Sequence, residues 1–327
     1  MVDISQCKQT RTVPYGTSVG QNCYHKIDAV VISTSRGPYD THRFNMVFSP
    51  SNSVCVVTGG GSGIGRALCH ELVSRGASKV IVVDINFLSA QKVVSELLND
   101  VGFAMKADVG KESDIRNIIE KTETLWGPID AFFCNAGITS SKNDSEEEWQ
   151  KMWQVNVMQS VYVARHLMPK FVERKKGALL VTASAAGLLT LIGDLPYTVT
   201  KHAALGLAEW LRITYGSSRQ HTIQISCLCP QAVQTNMLGG KDPTPIWGGK
   251  ILSPSSVATT AIDAMMAGTF LILPHTDVKK YVFFKAKNHE QWIKGMYKIH
   301  HLYLATIKKE KQEHEGEQIN KKIVSKL

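Results

Sequence analysis

From residue 54 onward, short runs rich in β-branched residues alternate with amphipathic stretches of twelve or more residues over most of the chain. This alternation is typical of a parallel sheet covered by helices, because a crossover helix must join each strand to the next. It predicts an α/β fold in which a doubly wound parallel sheet of about seven strands forms one domain. The candidate strands are Ser53–Thr58, Lys79–Asp84, Gly102–Ala107, Ile129–Asn135, Ala178–Ser184, Thr222–Leu228 and Phe270–Leu273.

Composition and charge divide the chain into three parts. Residues 1–52 are rich in Ser, Thr, Gly and Asn without periodicity, which predicts a poorly ordered N-terminal arm. Residues 53–278 form the predicted domain, and residues 279–327 form a basic helical extension with twelve lysines and five glutamates. Because the extension contains no arginine and its lysines alternate with glutamates, it is poorly suited to bidentate phosphate or base recognition. We expect no nucleic-acid partner.

The cysteines indicate neither a metal site nor a disulfide framework. Seven are present, which is an odd number, and they are widely scattered without a Cys-x-x-Cys pair. This pattern predicts reduced thiols and no bound metal.

A glycine-rich segment, Thr58–Gly65, follows the first candidate strand directly and precedes a helical pattern. Glycines let the backbone turn tightly and approach a pyrophosphate, whose charge then faces the unpaired amides of the helix N-terminus. The segment therefore predicts a dinucleotide site. Its candidate cofactor contacts are Thr58, Gly59, Ser62, Gly63, Ile64 and Gly65.

Asp84 ends the second candidate strand, at the spacing from the glycine turn that nucleotide-binding folds use for a ribose ligand. A carboxylate there would bond both ribose hydroxyls and repel the additional phosphate of NADP. No basic residue offsets this repulsion at the position before Gly63, where Ser62 stands. The prediction is NAD, with NADP disfavoured. The alternative is that Asp84 only caps a turn or a helix.

Two further loops lie at the carboxyl ends of candidate strands. Asp108 and Val109 follow the third strand, and Asn135, Ala136 and Gly137 end the fourth. Open α/β sheets bind ligands at these ends. Together with the glycine turn, they predict three loops around one nucleotide.

Tyr197 and Lys201 are four residues apart on a predicted helix, with Ser184 at the end of the fifth strand. That spacing places the phenol and the ammonium on one face. Lowering a phenol pKa from about 10 by three units requires roughly 4 kcal/mol. One positive charge some 4 to 5 Å away supplies about 3 to 4 kcal/mol at an effective dielectric constant near 20. The pattern predicts a tyrosine that Lys201 makes acidic, with an oxidised nicotinamide adding to the effect.

Together these motifs resemble the short-chain dehydrogenase/reductase family over roughly residues 53–275. The resemblance depends on the glycine turn, Asp108, Asn135-Ala136-Gly137, Asn156, Ser184, Tyr197, Lys201 and the segment Pro230–Thr235, in family order and at family-like spacing. It implies a single Rossmann-type domain, usually dimeric or tetrameric. It also implies hydride transfer between NAD(P) and a hydroxyl or carbonyl carbon.

The resemblance assigns a role to each catalytic position. Tyr197 would be the general acid/base and Ser184 would hold the substrate oxygen, while Lys201 would lower the Tyr197 pKa and bind the nicotinamide ribose. Asn156 would anchor a water that relays the proton. Pro230, Val233 and Thr235 would contact the cofactor. In one departure from the family, Gln231 stands where glycine usually follows the proline.

The segment Asn236–Ile251 has the glycines and prolines of a hinged lid over the site. An apolar pocket is predicted from Trp247, Leu188, Leu189, Ile192 and Leu195. It favours a small hydrophobic secondary alcohol or ketone over a sugar, and a lipid-derived substrate would fit the peroxisomal address described below. The alternative is that these residues pack against a neighbouring helix. A second functional hypothesis is a protein of the same fold that senses NAD or acts as a scaffold without turnover.

The C-terminal extension contains an apolar stripe at helical spacing, formed by Trp292, Met296, Ile299, Tyr303 and Ile307. It predicts a helix that docks on its own domain or on a second subunit of a homodimer or homotetramer. In the alternative, its basic surface contacts an anionic membrane or the phosphates of an acyl-CoA. The terminal Ser325-Lys326-Leu327 matches the address read by the peroxisomal import receptor. We therefore expect a peroxisomal location, with the cytoplasm as the alternative.

Overall fold

The computed structural model describes residues 48–98, 100–140, 145–216, 222–238 and 249–324. The predicted N-terminal arm, apart from residues 48–52, lies outside these ranges. So do Trp247, most of the predicted lid, and the terminal Ser325-Lys326-Leu327.

The described strands form one parallel sheet of seven strands in the order β3-β2-β1-β4-β5-β6-β7, which confirms the predicted fold class. They are β1 Val54–Thr58, β2 Lys79–Asp84, β3 Gly102–Lys106, β4 Ala131–Cys134, β5 Lys176–Thr182, β6 Thr222–Leu228 and β7 Leu271–Ile272. The order reverses direction between β1 and β4. A crevice forms at such a reversal, because the loops after the two strands turn to opposite sides of the sheet.

Four strands end earlier than predicted: β3, β4 and β7 by one residue and β5 by two. β4 stops at Cys134 because the amide of Asn135 turns back to the carbonyl of Phe133 and the hydroxyl of Thr58. β5 stops at Thr182, and Ser184 instead caps a single 3₁₀ turn, Ala185–Gly187. In both places the last predicted strand residue is a polar side chain that leaves the sheet and enters the loop.

Helices cover both faces of the sheet, and the alternation of side chains along β1 shows why. The described helices are α1 Gly63–Ser74, α2 Phe87–Glu96, α3 Glu112–Trp126, α4 Glu146–Trp153, α5 Gln159–Arg174, α6 Leu195–Tyr215, α7 Pro254–Met266, α8 Thr276–Lys287 and α9 His289–Val324. Val54 and Val56 of β1 join the core under α3, α5 and α6, whereas Cys55 and Val57 join the core under α1, α2 and α7. One turn of π-helix, Gln154–Met158, connects α4 to α5.

The predicted boundary between domain and extension, at residues 278–279, falls inside α8. Val278 is fully buried, so α8 begins as part of the domain. Further along, Lys285 Nζ donates to the carbonyl oxygen of Leu188 at 2.9 Å. The ring of Tyr303 lies so close to Gly193 that a Cβ there would be 2.4 Å from Tyr303 Cζ. The predicted helix therefore docks on its own domain. Among the described helices, none combines the length and the apolar sequence that crossing a bilayer requires.

Candidate active site

The glycine turn after β1 has a conformation that other residues would not tolerate. Gly59 has φ +62° and its Cβ position lies 2.9 Å from Ala136 Cα, while a Cβ on Gly65 would lie 2.0 Å from the carbonyl oxygen of Gly59. The turn therefore packs directly on the loop after β4. Gly63, with φ +51°, similarly leaves only 3.0 Å between a Cβ and Thr235 Cγ2. The structure thus brings three of the predicted cofactor segments together.

The N-terminus of α1 is suited to an anion. Its first turn is Gly63-Ile64-Gly65, and the exposed side chain of Ser62, at the cap position, caps no amide among the described residues. Unpaired amides at a helix start favour a bound phosphate, and side chains this small allow it to approach. This geometry fits the pyrophosphate of a dinucleotide.

Thr58 has a structural role that the glycine motif alone did not reveal. Its fully buried hydroxyl accepts hydrogen bonds from the amides of Asn135 and Ala136, at 3.0 and 3.1 Å. The Asn135 side-chain amide donates to the Thr58 carbonyl oxygen at 3.1 Å. The Thr58 hydroxyl therefore joins the ends of β1 and β4, and contact of Thr58 with a cofactor stays a prediction.

Gln159 belongs to the same network and was missed from the sequence. Its side chain is buried, accepts from the Thr58 hydroxyl at 3.1 Å, and donates to the carbonyl oxygen of Ala136. A glutamine on an amphipathic helix carries no local signal of burial. Only the meeting of α5 with the ends of β1 and β4 shows its function.

Asp84 lies against the glycine turn, as its spacing predicted. Its Oδ2 accepts from the amide of Gly61 at 3.0 Å, and its Oδ1 accepts from the amide of Asn86 at 2.9 Å. Asp84 therefore caps a turn, as the alternative held, and its contact with a ribose stays a prediction. Each carboxylate oxygen has a second lone pair, so these bonds leave acceptor capacity for a ribose.

The loop after β3 is built differently from its prediction. Asp108 Oδ1 accepts from the amide of Gly110 at 3.0 Å, so this carboxylate stabilises the turn into α3. Val109 is buried in the core under α3 and α5. Cofactor contacts by Asp108 and Val109 therefore stay predictions.

The three predicted catalytic residues, Ser184, Tyr197 and Lys201, lie close together where β5 ends and α6 begins. Ser184 Oγ accepts from the amide of Ala186 at 3.1 Å and donates to the carbonyl oxygen of Pro230 at 3.4 Å, and hydrogen bonding with Ser184 lowers the pKa of Tyr197. Lys201 is buried one helical turn beyond Tyr197, and its Nζ lies 5.4 Å from the centre of the Tyr197 ring. Lys201 Nζ donates to the carbonyl oxygen of Thr182 at 3.0 Å, which fixes it behind the tyrosine.

The expected acidity of Tyr197 is not found. Burial raises the pKa of Tyr197 to about 12, the carboxylate of Asp194 acts in the same direction, and the bond with Ser184 opposes both. Burial also lowers the pKa of Lys201 to about 8, so its ammonium is itself disfavoured. The sequence argument considered the attraction between the two groups and omitted the desolvation of each.

Asn156 lies in the π-helical turn, a feature often found at functional sites. Its Oδ1 accepts from the amide of Ile138, and its Nδ2 donates to the carbonyl oxygen of the same residue, both at 2.9 Å. A Cβ on Gly137 would lie 3.3 Å from Asn156 Oδ1 and 3.2 Å from Lys201 Nζ. Asn156 therefore holds the loop after β4 beside Lys201, and its role in a proton relay stays a prediction.

The segment after β6 closes the site. The Pro230 carbonyl oxygen accepts from the amide of Ala185 at 2.8 Å. The amide of Gln231 donates to His275 Nδ1 at 3.1 Å, and His275 Nε2 donates to the carbonyl oxygen of Ala232 at 3.0 Å. His275, which the sequence did not single out, is thus a buried clamp on this loop. Burial lowers its pKa, consistent with a neutral ring that accepts at one nitrogen and donates at the other.

Val233 and Thr235 complete the predicted contacts of this segment. Val233 is buried and bridges to Leu252, whereas Thr235 faces the glycine turn at Gly63. The position of Thr235 agrees with a cofactor role. The Val233 side chain belongs to the core, so only its backbone remains as a candidate contact.

A cavity of about 490 Å³ opens beside Ser184 and Tyr197, and Gln231 lies in its wall. Leu189 lines it as predicted, whereas Leu195 is 60% exposed and Leu188 packs on the core. Ile192 is not among the lining residues. Much of the apolar wall comes instead from residues that were not predicted to line a pocket: Leu191, Met237, Leu238, Tyr281, Trp292, Met296 and Ile299. The last four lie on α8 and α9, so the C-terminal helices form one side of the cavity.

The described part of the chain also shows how potential metal ligands and cysteines are arranged. No three His, Cys, Asp or Glu side chains within it lie close enough together to hold a metal ion. The five cysteines it contains are all buried and free.

The sequence of this chain is similar to those of known proteins. A family model described as short chain dehydrogenase matches residues 53–245. Similar proteins include 2,5-dichloro-2,5-cyclohexadiene-1,4-diol dehydrogenase of Sphingobium indicum, 33% identical over 193 residues, 58% of this chain and 75% of that protein. Cyclohexanol dehydrogenase of Acinetobacter sp. is 31% identical over 194 residues, 58% and 76% of the two chains.

A solved structure also shares the fold. It is a short chain dehydrogenase/reductase from Burkholderia phymatum in complex with NAD, with a TM-score of 0.68 and 23% sequence identity. The match covers 75% of this chain and 96% of that one.

Proposed function

The chain belongs to the short-chain dehydrogenase/reductase family, and from this premise we propose that it is an NAD-dependent oxidoreductase that interconverts a secondary alcohol and a ketone on a hydrophobic substrate. The observation that carries the proposal is the pairing of the Ser184 and Tyr197 side chains in the wall of an otherwise largely apolar cavity. Two hydroxyl groups on one side of such a cavity can hold a single substrate oxygen while apolar side chains surround the carbon skeleton.

The residues around the glycine turn fit a dinucleotide. The open start of α1 would hold the pyrophosphate, and Asp84, whose oxygens each accept one amide, would accept from the adenosine ribose. A nicotinamide bound beyond this turn would accept or donate a hydride. The charge of Asp84 supports NAD over NADP.

Side chains of the protein would donate and accept the proton of the reaction. In ketone reduction, Tyr197 Oη would give its proton to the substrate oxygen while the Ser184 hydroxyl holds that oxygen. With a pKa of about 12, Tyr197 is protonated at neutral pH and ready to act as this donor. In alcohol oxidation Tyr197 Oη must instead take up the proton of the substrate hydroxyl, which requires that Tyr197 is first deprotonated. Oxidation should therefore become faster as the pH rises.

Tyr197→Phe tests this proposal. The variant should lose turnover, followed by the absorbance of reduced nicotinamide across steroids, fatty alcohols, retinoids and hydroxyacyl-CoAs. It should retain NAD binding, measured by calorimetry. Tyr297→Phe is the matched control, since Tyr297 is 61% exposed and should leave turnover unchanged. Full activity in Tyr197→Phe would refute the catalytic assignment.

Assembly and location remain proposals with separate support. Trp210 and Ile213 on α6 are 51% and 74% exposed, and a subunit interface of a homodimer or homotetramer would cover them. The terminal Ser325-Lys326-Leu327 supports peroxisomal import. A fluorescent fusion that enters peroxisomes only when Leu327 is present would support this location, and a diffuse signal would favour the cytoplasm.

A further inference from the structure

The two C-terminal helices have one side on the domain and another side open to solvent. Trp292, Met296 and Ile299 of α9 face the cavity, and Tyr303 continues this stripe onto Gly193. This inner side explains why the helices dock where they do. It does not explain the apolar side chains on the exposed flank of α9, about a third of a turn away from this stripe.

The open side contains large apolar residues in an unusual concentration. Five of them are Phe283 at 68% exposure, Phe284 at 40%, Ile293 at 36%, Tyr297 at 61% and Leu304 at 48%, whereas Leu302, at 56%, lies about half a turn away on α9. We call these five residues the outer apolar surface. The three on α9 are separated by four and seven positions, so they form one stripe along that helix. Exposed apolar groups in this number indicate a surface that is covered in the working protein.

Positive charge surrounds the outer apolar surface. Residues 276–309 contain eight lysines and no arginine, against two acids, Asp277 and Glu290. Lysines that are exposed include Lys279, Lys280, Lys287, Lys294, Lys298 and Lys308. Two of them directly follow members of the apolar stripe in the sequence: Lys294 follows Ile293, and Lys298 follows Tyr297.

We propose that the outer apolar surface and its lysines dock the protein on an anionic membrane surface. Aromatic and aliphatic side chains enter the boundary between headgroups and acyl chains, and lysines at the same level attract anionic headgroups. Exposed Phe and Tyr are suited to this depth because of their large apolar rings, and the long lysine side chains can keep their ammonium groups in water.

A second copy of the chain is a poorer occupant for this surface. A two-fold interface brings the same patch of both subunits together, so these lysines would face one another. Interface cores are depleted of lysine for this reason. The exposed apolar residues of α6 are better suited to self-association, because Glu209 and Arg212 give that helix charges of both signs.

Docking on a membrane would place the cavity close to the bilayer. The helices that carry the outer apolar surface also form a wall of the cavity, so an apolar molecule leaving the bilayer would meet the site across one layer of helices. Membrane docking does not depend on which substrate the site accepts, or on whether the proposed oxidoreduction is correct.

Sedimentation of the full chain with vesicles tests the proposal. The protein should bind vesicles of phosphatidylcholine containing about 30 mol% phosphatidylserine, and bind vesicles of phosphatidylcholine alone at least roughly tenfold more weakly. Binding should fall by a similar factor in high salt, since screening weakens the attraction of lysines to headgroups. Equal binding to both vesicle types, or none to either, would overturn the proposal.

Two variants locate the contact. Phe283→Ser with Phe284→Ser, and separately Lys294→Glu with Lys298→Glu, should each weaken vesicle binding by roughly tenfold or more. Leu98→Ser with Leu125→Ser is the matched control: both residues are exposed, at 72% and 63%, and lie outside the C-terminal helices and the proposed subunit interface, so this variant should bind like the unaltered chain. The lysine pair keeps the test decisive if the phenylalanine pair fails to fold.

Two further measurements separate this proposal from its alternatives. Turnover of a water-soluble ketone should be unchanged in both C-terminal variants, because none of the four residues lines the cavity. If instead the variants shift the oligomer to a smaller size in light scattering and leave vesicle binding intact, the surface is a subunit interface and the proposal is wrong.

Discussion

Replacing Asp84 with Asn isolates the charge that is expected to select the cofactor. Asp84 is partly exposed, with its oxygens 2.9 and 3.0 Å from the amides of Asn86 and Gly61. Two unit charges about 4 Å apart interact by about 1 kcal/mol in water and about 4 kcal/mol at an effective dielectric constant of 20. For a half-exposed carboxylate we take about 1 to 1.5 kcal/mol per unit charge.

The additional phosphate of NADP carries a charge of about −1.5 to −2, so the repulsion amounts to about 1.5 to 3 kcal/mol. Removing it should change the ratio of kcat/KM for NAD to that for NADP by roughly 10 to 160-fold in favour of NADP. Asparagine retains one carboxamide oxygen as an acceptor, so the turn should lose at most one amide bond, about 1 kcal/mol of stability.

The assay is steady-state kinetics with both cofactors at one substrate concentration, for the unaltered chain and for the variant. Asp108→Asn is the control: Asp108 caps the turn into α3, and the cofactor contact predicted for it would affect NAD and NADP alike, so the ratio should be unchanged. The reasoning fails if the unaltered chain uses NADP as well as NAD. It also fails if Asp84→Asn changes both cofactors equally, which would mean that Asp84 acts only through the turn.

Two further predictions follow from burial. Burial lowers the pKa of Lys201 in the folded chain to about 8, below its value in the unfolded chain. Between about pH 8 and 10 the unfolded chain therefore binds more protons than the folded chain. The contribution of Lys201 to the free energy of unfolding should rise with pH in that window. Lys201→Met should remove this rise, about 2 to 3 kcal/mol, in urea unfolding at the two pH values, and an unchanged pH dependence would contradict it. Gly193→Ala should destabilise the chain by about 2 kcal/mol or more and raise KM for hydrophobic substrates, because Gly193 has φ +89° and its Cβ would meet the Tyr303 ring. Gly206→Ala is its control, because nothing lies within 4 Å of a Cβ at that position in the described structure. This variant should be more stable by about 0.5 to 1 kcal/mol, since alanine favours the helix over glycine. Equal losses of stability for both variants in thermal unfolding would refute the prediction.

The fold could be predicted because its signals are local and repeated. Each strand is marked by its own run of β-branched residues, and the glycine turn marks the crevice where β1 and β4 diverge. Asp84 was placed correctly because its distance from that turn is set by one helix and one strand. Boundaries were less accurate at Asn135 and Ser184, where a polar side chain leaves the sheet for a loop.

The walls of the cavity could not be predicted in the same way. The apolar stripe of α9 indicated that the helix docks, and Met296 is indeed 7% exposed. Its periodicity could not show what it docks against, since a stripe specifies a face and no partner. Tyr281 lies outside that stripe, on a helix that the sequence had divided between domain and extension. Buried polar residues such as Gln159 and His275 escaped notice for a related reason, because their partners are distant in sequence.

The acidity of Tyr197 shows most clearly what spacing along a helix leaves out. Bringing its pKa from about 12 down to 7 requires about 7 kcal/mol, roughly twice what one charge 4 to 5 Å away supplies. Lys201 cannot provide even that in full under alkaline conditions, because its own pKa is only about 8. The same burial that makes the cavity apolar therefore keeps Tyr197 protonated. This arrangement prepares the site to donate a proton in reduction, and it makes oxidation the direction that must depend on pH.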